Sequence, residues 1–229
     1  MSAPAPQVPA PSVFIATPAL DGQVNAHYTA SLLRTQSAFA RLGWNFEISF
    51  EIGNSLVTDA RNKLVARFLG SAHTDLVFID ADISWQAEDL VRLLRHDADV
   101  VAGVYQRKSR AKLDFTVKFG PRITRDAQGL MTVDRVGTGF LRIRRPVLEH
   151  LVRCHPELQL KHPTEPGNPH LHALFDTAIV DGEYVGEDFT FCDRWRRAGG
   201  QVKIDAAIAL SHHGAAVYDE PLMKYLTRN

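Results

Sequence analysis

The chain has 229 residues, 45% hydrophobic and 23% charged, which suits one large globular domain or two small ones. Lys and Arg number 26 and so do Asp and Glu, so net charge gives no reason to expect nucleic acid or an anionic membrane as partner. The two cysteines do not form a C-x-x-C pair, and no apolar run approaches the roughly 20 residues that cross a bilayer. We therefore expect a cytoplasmic protein with reduced thiols. Residues 1–11, rich in Ala and Pro, predict a disordered lead-in and not a signal peptide.

The first half of the chain predicts strands and helices in alternation. Apolar or alternating runs predict strands at 13–16, 44–51, 76–79 and 99–104, the first of which ends at Thr17 and Pro18. Helical periodicity predicts helices at 26–42, from Asn54 or Ser55 to 69, and at 86–96. This order is typical of a parallel sheet flanked by helices.

The pattern changes after residue 104. Short runs at 113–119, 130–136 and 140–143 predict antiparallel strands, 146–153 and 188–198 predict helices, and 202–204 and 208–211 predict late strands. One of these predicted strands ends near Arg142, Arg144 and Arg145, and we expect their side chains to face solvent. The whole predicts an α/β fold with a mostly parallel central sheet and a smaller antiparallel sheet.

Asp80-Ala81-Asp82 follows the apolar run 76–79 directly. In open α/β sheets ligands bind beyond the carboxyl ends of the strands. Residues i and i+2 of an extended segment point the same way, so the two carboxylates can converge on Mg²⁺ or Mn²⁺. Such D-x-D patterns also occur by chance, but the position after a buried strand favours a functional interpretation.

A second acidic pair, Glu187-Asp188, opens a predicted helix after Gly186. It is compatible with a structural role at the helix N-terminus and with a general base that accepts a proton from a hydroxyl, Asp188 being the first choice and Glu187 the second. Near the C-terminus, His212-His213 follows the last apolar run, and an imidazole from this pair is a candidate third metal ligand.

Two further segments allow two interpretations each. The basic cluster 105–112, with Arg107 and Lys108, is either a solvated loop or a loop that closes on a diphosphate. Residues 215–229 are either a lid or a docked tail. Trp85 and Trp195 are expected to pack in the core.

These motifs together resemble a known family. Residues 59–64, DARNKL, and 75–82, DLVFIDAD, resemble the stretch from "ARN" to "DAD" in family-2 glycosyltransferases of the GT-A fold. Residues 186–200, GEDFTFCDRWRRAGG, are similar to the helix of that family with "ED" and "R-x-R-x-x-G". Residues 137–140 are similar to its small-residue strand, and 211–214, SHHG, to its late histidine. The resemblance covers residues 12–214.

The resemblance implies a sugar donor that carries UDP, GDP or dTDP, a hydroxyl acceptor such as a glycan, and Mn²⁺ or Mg²⁺ as the cofactor. It divides residues 12–214 into a donor-binding half, 12–104, and an acceptor and catalytic half, 105–214. The implied metal ligands are Asp82, Asp80 and His212, with Asp80 facing the donor ribose or the water shell of the metal. Asp188 is the implied base. The remaining implied donor contacts are Arg61, Thr17, Pro18, Ala81, Arg107 and Lys108.

This chain also departs from the family. It has 16–21, ATPALD, where the family often begins with "P-x-Y-N", and it lacks the processive "Q-x-x-R-W" motif, which argues against a polysaccharide synthase. The stretch 59–82 also resembles fungal-type mannosyltransferases that retain configuration, so inversion and retention both stay open. The alternative functions are a phosphohydrolase of the haloacid-dehalogenase type that uses Asp80 and Asp82, and a non-catalytic binder of nucleotide sugars.

Overall fold

The protein is described by a computed structural model that covers residues 10–109 and 113–227. Residues 1–9 of the predicted lead-in, 110–112 of the basic cluster and 228–229 of the tail lie outside the described residues. Within the described part, none of the helices has the length and apolar character that crossing a membrane requires.

Strands and helices alternate through the first half of the chain, as predicted. The strands are β1 (Ser12–Ala19), β2 (Asn45–Ile52), β3 (Asp75–Ile79), β4 (Ile83–Ser84), β5 (Val100–Ala102), β6 (Val117–Lys118), β7 (Met131–Val133), β8 (Arg135–Val136), β9 (Phe140–Arg144), β10 (Ala178–Val180), β11 (Glu183–Val185), β12 (Val202–Ile204), β13 (Ser211–His213) and β14 (Val217–Tyr218). The helices are α1 (Ala26–Leu42), α2 (Val57–Leu69), α3 (Ala87–Arg95), α4 (Arg145–Cys154), α5 (Glu187–Arg197) and α6 (Leu222–Leu226), with a 3-10 turn at Pro156–Leu158.

Local signals account for the helix ends. The side chain of Asn25 accepts a hydrogen bond from the backbone N–H of His27, and Gly43 ends α1 in the left-handed conformation with a φ of 68°. The predicted bounds of α1 are therefore confirmed. At α2 the side chain of Asn54 accepts from the N–H of Leu56 just before the first helical turn, so the helix begins slightly later than predicted.

The main sheet has the strand order β2-β1-β3-β9-β5-β12-β7. Strands β1, β2, β3, β5 and β12 run in one direction, whereas β9 and β7 run against them. Helices α2, α4 and α5 cover one face and α1 and α3 cover the other, and each face has its own apolar core. Small antiparallel sheets add to this frame, with the orders β14-β13-β4, β10-β11 and β6-β8.

Strand β9 corrects one part of the sequence interpretation. It lies between β3 and β5 in the middle of the main sheet and not in a smaller sheet, because four of its five residues are buried and need cover on both faces. The prediction that Arg142 faces solvent was wrong. Its side chain is buried, and its guanidinium donates to Asp75 Oδ1 at 2.7 Å and to two backbone carbonyls.

The late part of the chain also differs from the prediction. Residues 208–210 are not a strand; β13 begins only at Ser211 and pairs with β4 and β14 beside the main sheet. The tail beyond it is docked in the described residues, since Leu222 of α6 is buried in the core. Trp85 and Trp195 are both buried, as predicted.

Candidate active site

The D-x-D turn connects β3, a fully buried strand in the middle of the main sheet, to β4. Backbone hydrogen bonds hold the turn from two sides. The N–H of Asn25 donates to the carbonyl of Ala81 at 2.8 Å, and the N–H of His213 donates to the carbonyl of Asp82 at 2.8 Å. The N–H of Asp80 donates to the carbonyl of Gly139 at 3.1 Å. The fold thus fixes the backbone of the turn at the carboxyl edge of the parallel strands.

Arg61 of α2 connects the first carboxylate of the turn to the acidic pair on α5. Its Nη2 donates to Asp80 Oδ1 at 2.9 Å, and its Nε lies 3.3 Å from Glu187 Oε1. Burial alone would lower the pKa of Arg61, but the charges of Asp80 and Glu187 outweigh burial and raise it. Among the described residues, Arg61 Nη1 is a buried nitrogen without a hydrogen-bond partner. An unpartnered buried N–H costs free energy.

Asp82 lies between two basic side chains. The ammonium group of Lys108 donates to its Oδ2, and His212 Nε2 lies 3.5 Å from its Oδ1. Burial would raise the pKa of Asp82, but the hydrogen bonds and charges of His212 and Lys108 outweigh it and lower the pKa to about 2. His212 Nδ1 donates to the carbonyl oxygen of Gln106 at 2.9 Å, so Nε2 is the ring nitrogen that faces Asp82.

The acidic pair occupies the first turn of α5. The backbone N–H of Phe189 donates to Asp188 Oδ1 at 2.8 Å. Burial and the neighbouring Glu187 carboxylate raise the pKa of Asp188 to about 6. Glu187 is held by Arg61, whereas the pKa of Asp188 lies in the range where a carboxylate can exchange a proton near neutral pH. The two carboxylates that the sequence left as alternatives therefore occupy different environments.

Tyr105 and Gly139 complete the site. The resemblance placed Gly139 in its small-residue strand, whereas the sequence interpretation missed the role of Tyr105. The phenol oxygen of Tyr105 accepts a hydrogen bond from the N–H of Gly139 at 3.1 Å, and the ring packs edge-on against His212 at 5.0 Å between centroids. A Cβ on Gly139 would lie 2.5 Å from the Tyr105 hydroxyl and 2.8 Å from Asp80 Oδ2. The available signal was the position of Tyr105, just beyond the carboxyl end of a strand in the same sheet.

Two predicted donor contacts lie on β1. Thr17 is fully buried, and its hydroxyl shares a hydrogen bond of 2.7 Å with the hydroxyl of Tyr28. Burial raises the pKa of Tyr28 to about 12, and the nearby Asp80 carboxylate acts in the same direction. Pro18 is partly exposed. Contacts from Thr17 and Pro18 to a ligand stay predictions.

The predicted metal ligands are two carboxylates and an imidazole, which are side-chain types that bind divalent cations in proteins. The ammonium group of Lys108 already places a positive charge on Asp82. In residues 10–109 and 113–227, no group of three or more His, Cys, Asp and Glu side chains is placed so that it could hold a metal ion. A metal at Asp80, Asp82 and His212 would therefore need side chains to move.

Two cavities of the described part of the chain lie away from these residues. Cavities of about 950 and 630 Å³ lie at the opposite edge of the sheet, the first beside Asp75 and Arg142 and the second beside Arg41 and His96. The charged groups at the D-x-D turn, and not cavity volume, therefore identify the candidate active site.

Comparisons with known proteins support the fold. No protein-family model matches the sequence. No curated protein matches it in sequence. Among solved structures, the protein is similar to A197 from STIV, with a TM-score of 0.53 and 15% identity over 91% of this chain and 94% of that one. At this identity the similarity shows a shared fold alone, and the predicted α/β fold of GT-A type is confirmed.

A weaker similarity concerns a glycosyltransferase involved in the glycosylation of the major capsid of PBCV-1. The TM-score is 0.35 and the identity 9%, over 61% of this chain and 63% of that one. A similarity of this size carries no argument about function, so the function of this chain has to be argued from its own residues.

Proposed function

We propose that this protein is a metal-dependent glycosyltransferase that moves a sugar from a nucleotide-sugar donor to a hydroxyl acceptor. The observation that carries the proposal is the arrangement around Arg61. One buried guanidinium lies between the Asp80 carboxylate of the D-x-D turn and the Glu187 carboxylate, next to Asp188. A candidate metal and diphosphate site and a candidate base thus meet at the carboxyl edge of a parallel α/β sheet, where ligands of such folds bind.

The donor side of the site is formed by the D-x-D turn and the basic loop after β5. Asp82, Asp80 and His212 would hold Mn²⁺ or Mg²⁺, and the cation would neutralise the charge that develops on the leaving diphosphate. Lys108 carries positive charge beside the same turn, and Arg107, which pairs with Asp114, acts electrostatically on Asp188; both side chains can bind phosphate oxygens.

The acceptor side is formed around Asp188. In a reaction with inversion, the Asp188 carboxylate accepts the proton of the acceptor hydroxyl while the acceptor oxygen bonds to the anomeric carbon and the bond from that carbon to the diphosphate breaks. A pKa of about 6 keeps this carboxylate mostly ionised at pH 7 and above while it remains a useful base. Glu187 is paired with Arg61 and orients that guanidinium. In a reaction with retention, Asp188 would position the sugar instead.

Product release tests the proposal against its alternatives. The protein is incubated with Mn²⁺ and UDP-, GDP- or dTDP-sugars, and nucleoside diphosphate and free phosphate are measured. We expect nucleoside diphosphate from one donor class, with loss in Asp82→Asn. Asp126→Asn, which alters an ion pair with Lys203 near the edge of the main sheet, is the matched control and keeps the activity. Free phosphate as the direct product would support the phosphohydrolase, and binding without turnover would support the binder.

A further inference from the structure

A second cluster of reactive side chains lies at the amino edge of the main sheet, opposite the D-x-D turn. Ser12 begins β1, Glu47 belongs to β2, and His73 lies in the loop before β3. Ser12 Oγ lies 2.8 Å from His73 Nδ1, and His73 Nε2 lies 3.1 Å from Glu47 Oε2. A hydroxyl, an imidazole and a carboxylate connected in this order form the arrangement that activates a serine as a nucleophile.

The carboxylate of Glu47 determines which nitrogen of the imidazole carries the proton. An ionised carboxylate only accepts hydrogen bonds, so His73 Nε2 has to be the donor. In the neutral ring Nδ1 is then unprotonated and accepts a hydrogen bond from the Ser12 hydroxyl. Nδ1 is therefore placed to take the Ser12 proton. The side chain of Glu47 is 55% exposed and that of His73 is 15% exposed, so a small molecule from solvent can reach the cluster.

The backbone on both sides of the cluster is anchored, which holds the base and the hydroxyl in register. The N–H of His73 donates to Ser71 Oγ at 3.2 Å, and its carbonyl accepts from Arg145 Nε at 2.6 Å. The N–H of Ser12 donates to Thr74 Oγ1 at 2.9 Å, and the N–H of Thr74 donates to the Ser12 carbonyl at 2.8 Å. A nucleophile and a base held in this way lose little conformational freedom when they react.

We propose that Ser12 is the nucleophile of a second site, which hydrolyses carboxylic esters that have good leaving groups. Ser12 Oγ bonds to the carbonyl carbon, its proton passes to His73 Nδ1, and the bond from that carbon to the leaving oxygen breaks. The leaving group departs with the electron pair as an anion that needs no proton, and His73 releases its own proton to solvent.

Water completes the reaction. Its oxygen bonds to the carbonyl carbon of the acyl-serine, and one of its protons passes to His73 Nδ1. The same nitrogen returns a proton to Ser12 Oγ as the bond from that oxygen to the acyl carbon breaks, so a carboxylic acid leaves and the serine is restored. The proposed glycosyl transfer uses none of these side chains, so the two proposals stand or fall separately.

Acetylation by p-nitrophenyl acetate tests the proposal. Release of p-nitrophenolate is followed by absorbance, and the acetyl group is located by mass spectrometry of peptides after an acid quench. The proteins are the wild type, Ser12→Ala, His73→Asn, Glu47→Gln and the control Ser37→Ala, whose hydroxyl donates to the Leu33 carbonyl of its own helix. We expect acetyl-Ser12 in the wild type and in the control at the same rate.

The variants of the cluster should differ from the control. Ser12→Ala should lose the initial burst of p-nitrophenolate, and His73→Asn should acetylate Ser12 about 100-fold more slowly because it lacks the base. Glu47→Gln keeps an acceptor for His73 Nε2 but loses the charge, so we expect a rate about fivefold lower.

An acetyl group on Ser12 whose formation depends on His73 supports the proposal. A wild type that is acetylated only at other residues, or an equal rate of Ser12 acetylation in His73→Asn, overturns it. If circular dichroism shows that His73→Asn is unfolded, Glu47→Gln decides, because its change lies on an exposed side chain: a lower rate supports the proposal and an unchanged rate overturns it.

Discussion

The raised pKa of Asp188 has a consequence for stability. The pKa of this carboxyl rises from an ordinary 3.8 to about 6 because of burial and the charge of Glu187. Between these values the unfolded chain has lost its proton while the folded protein keeps it, so the free energy of unfolding falls as the pH rises. Above pH 6 the folded protein carries the full free-energy cost of ionising the buried Asp188. A shift of roughly two pKa units at 1.36 kcal/mol each amounts to about 3 kcal/mol.

Asp188→Asn removes this cost. An asparagine Oδ1 can still accept the hydrogen bond from the N–H of Phe189, so the first turn of α5 keeps its contact. We expect the variant to be more stable than the wild type by as much as about 3 kcal/mol at pH 8, and by much less at pH 4. A candidate catalytic residue would then be one whose ionised side chain destabilises the fold, as is common at active sites.

Urea unfolding followed by circular dichroism at pH 4 and pH 8 measures the effect. Other groups titrate over this range, but they are common to both proteins and cancel in the difference. Asp97→Asn is the control, because Asp97 is 80% exposed and its pair with Arg144 should contribute no more than about 1 kcal/mol at either pH. The reasoning is refuted if Asp188→Asn is less stable than the wild type at pH 8, or if the difference does not change with pH.

Two further substitutions test the packing of the site and of the sheet. Gly139→Ala would bring a Cβ within 2.8 Å of Asp80 Oδ2 and 2.5 Å of the Tyr105 hydroxyl. We expect the free energy of unfolding, measured by thermal unfolding, to fall by about 1–3 kcal/mol and nucleotide binding to weaken. An unchanged melting temperature would contradict this. Arg142→Met would leave the buried Asp75 without its charge partner. We expect the free energy of unfolding, measured with urea, to fall by about 3–5 kcal/mol. A second substitution, Asp75→Leu, should restore part of this loss. A loss in the double variant as large as in the single one would show that the unpaired charge is not the cause.

Much of the fold could be predicted because its signals are local. The bounds of α1 are set by the cap at Asn25 and the glycine at 43, and both residues lie next to the helix in the sequence. The position of β9 in the sheet could not be predicted, because an apolar segment does not indicate which strands it will pair with. Arg142 looked like a surface residue for the same reason, since its partner Asp75 is 67 residues away in the sequence.

Part of the candidate site could also be predicted from the sequence, and part of it could not. Asp80 and Asp82 could be found because they lie two residues apart in the sequence and directly follow a buried strand. The role of Tyr105 and the contact between Lys108 and Asp82 could not, because they depend on how the loop after β5 folds back onto the D-x-D turn. The choice between Glu187 and Asp188 likewise needed the position of Arg61, which comes from a different helix.

Nucleotide binding tests the central claim most directly. UDP, GDP, dTDP and CDP are titrated by calorimetry into the wild type and Asp82→Ala, with and without Mn²⁺. The account predicts that one nucleotide binds tightly, and that its binding requires both the metal and the Asp82 carboxylate. If none of the four nucleotides binds under any metal condition, or if binding is the same in Asp82→Ala, the D-x-D turn is not a donor site and the account is contradicted.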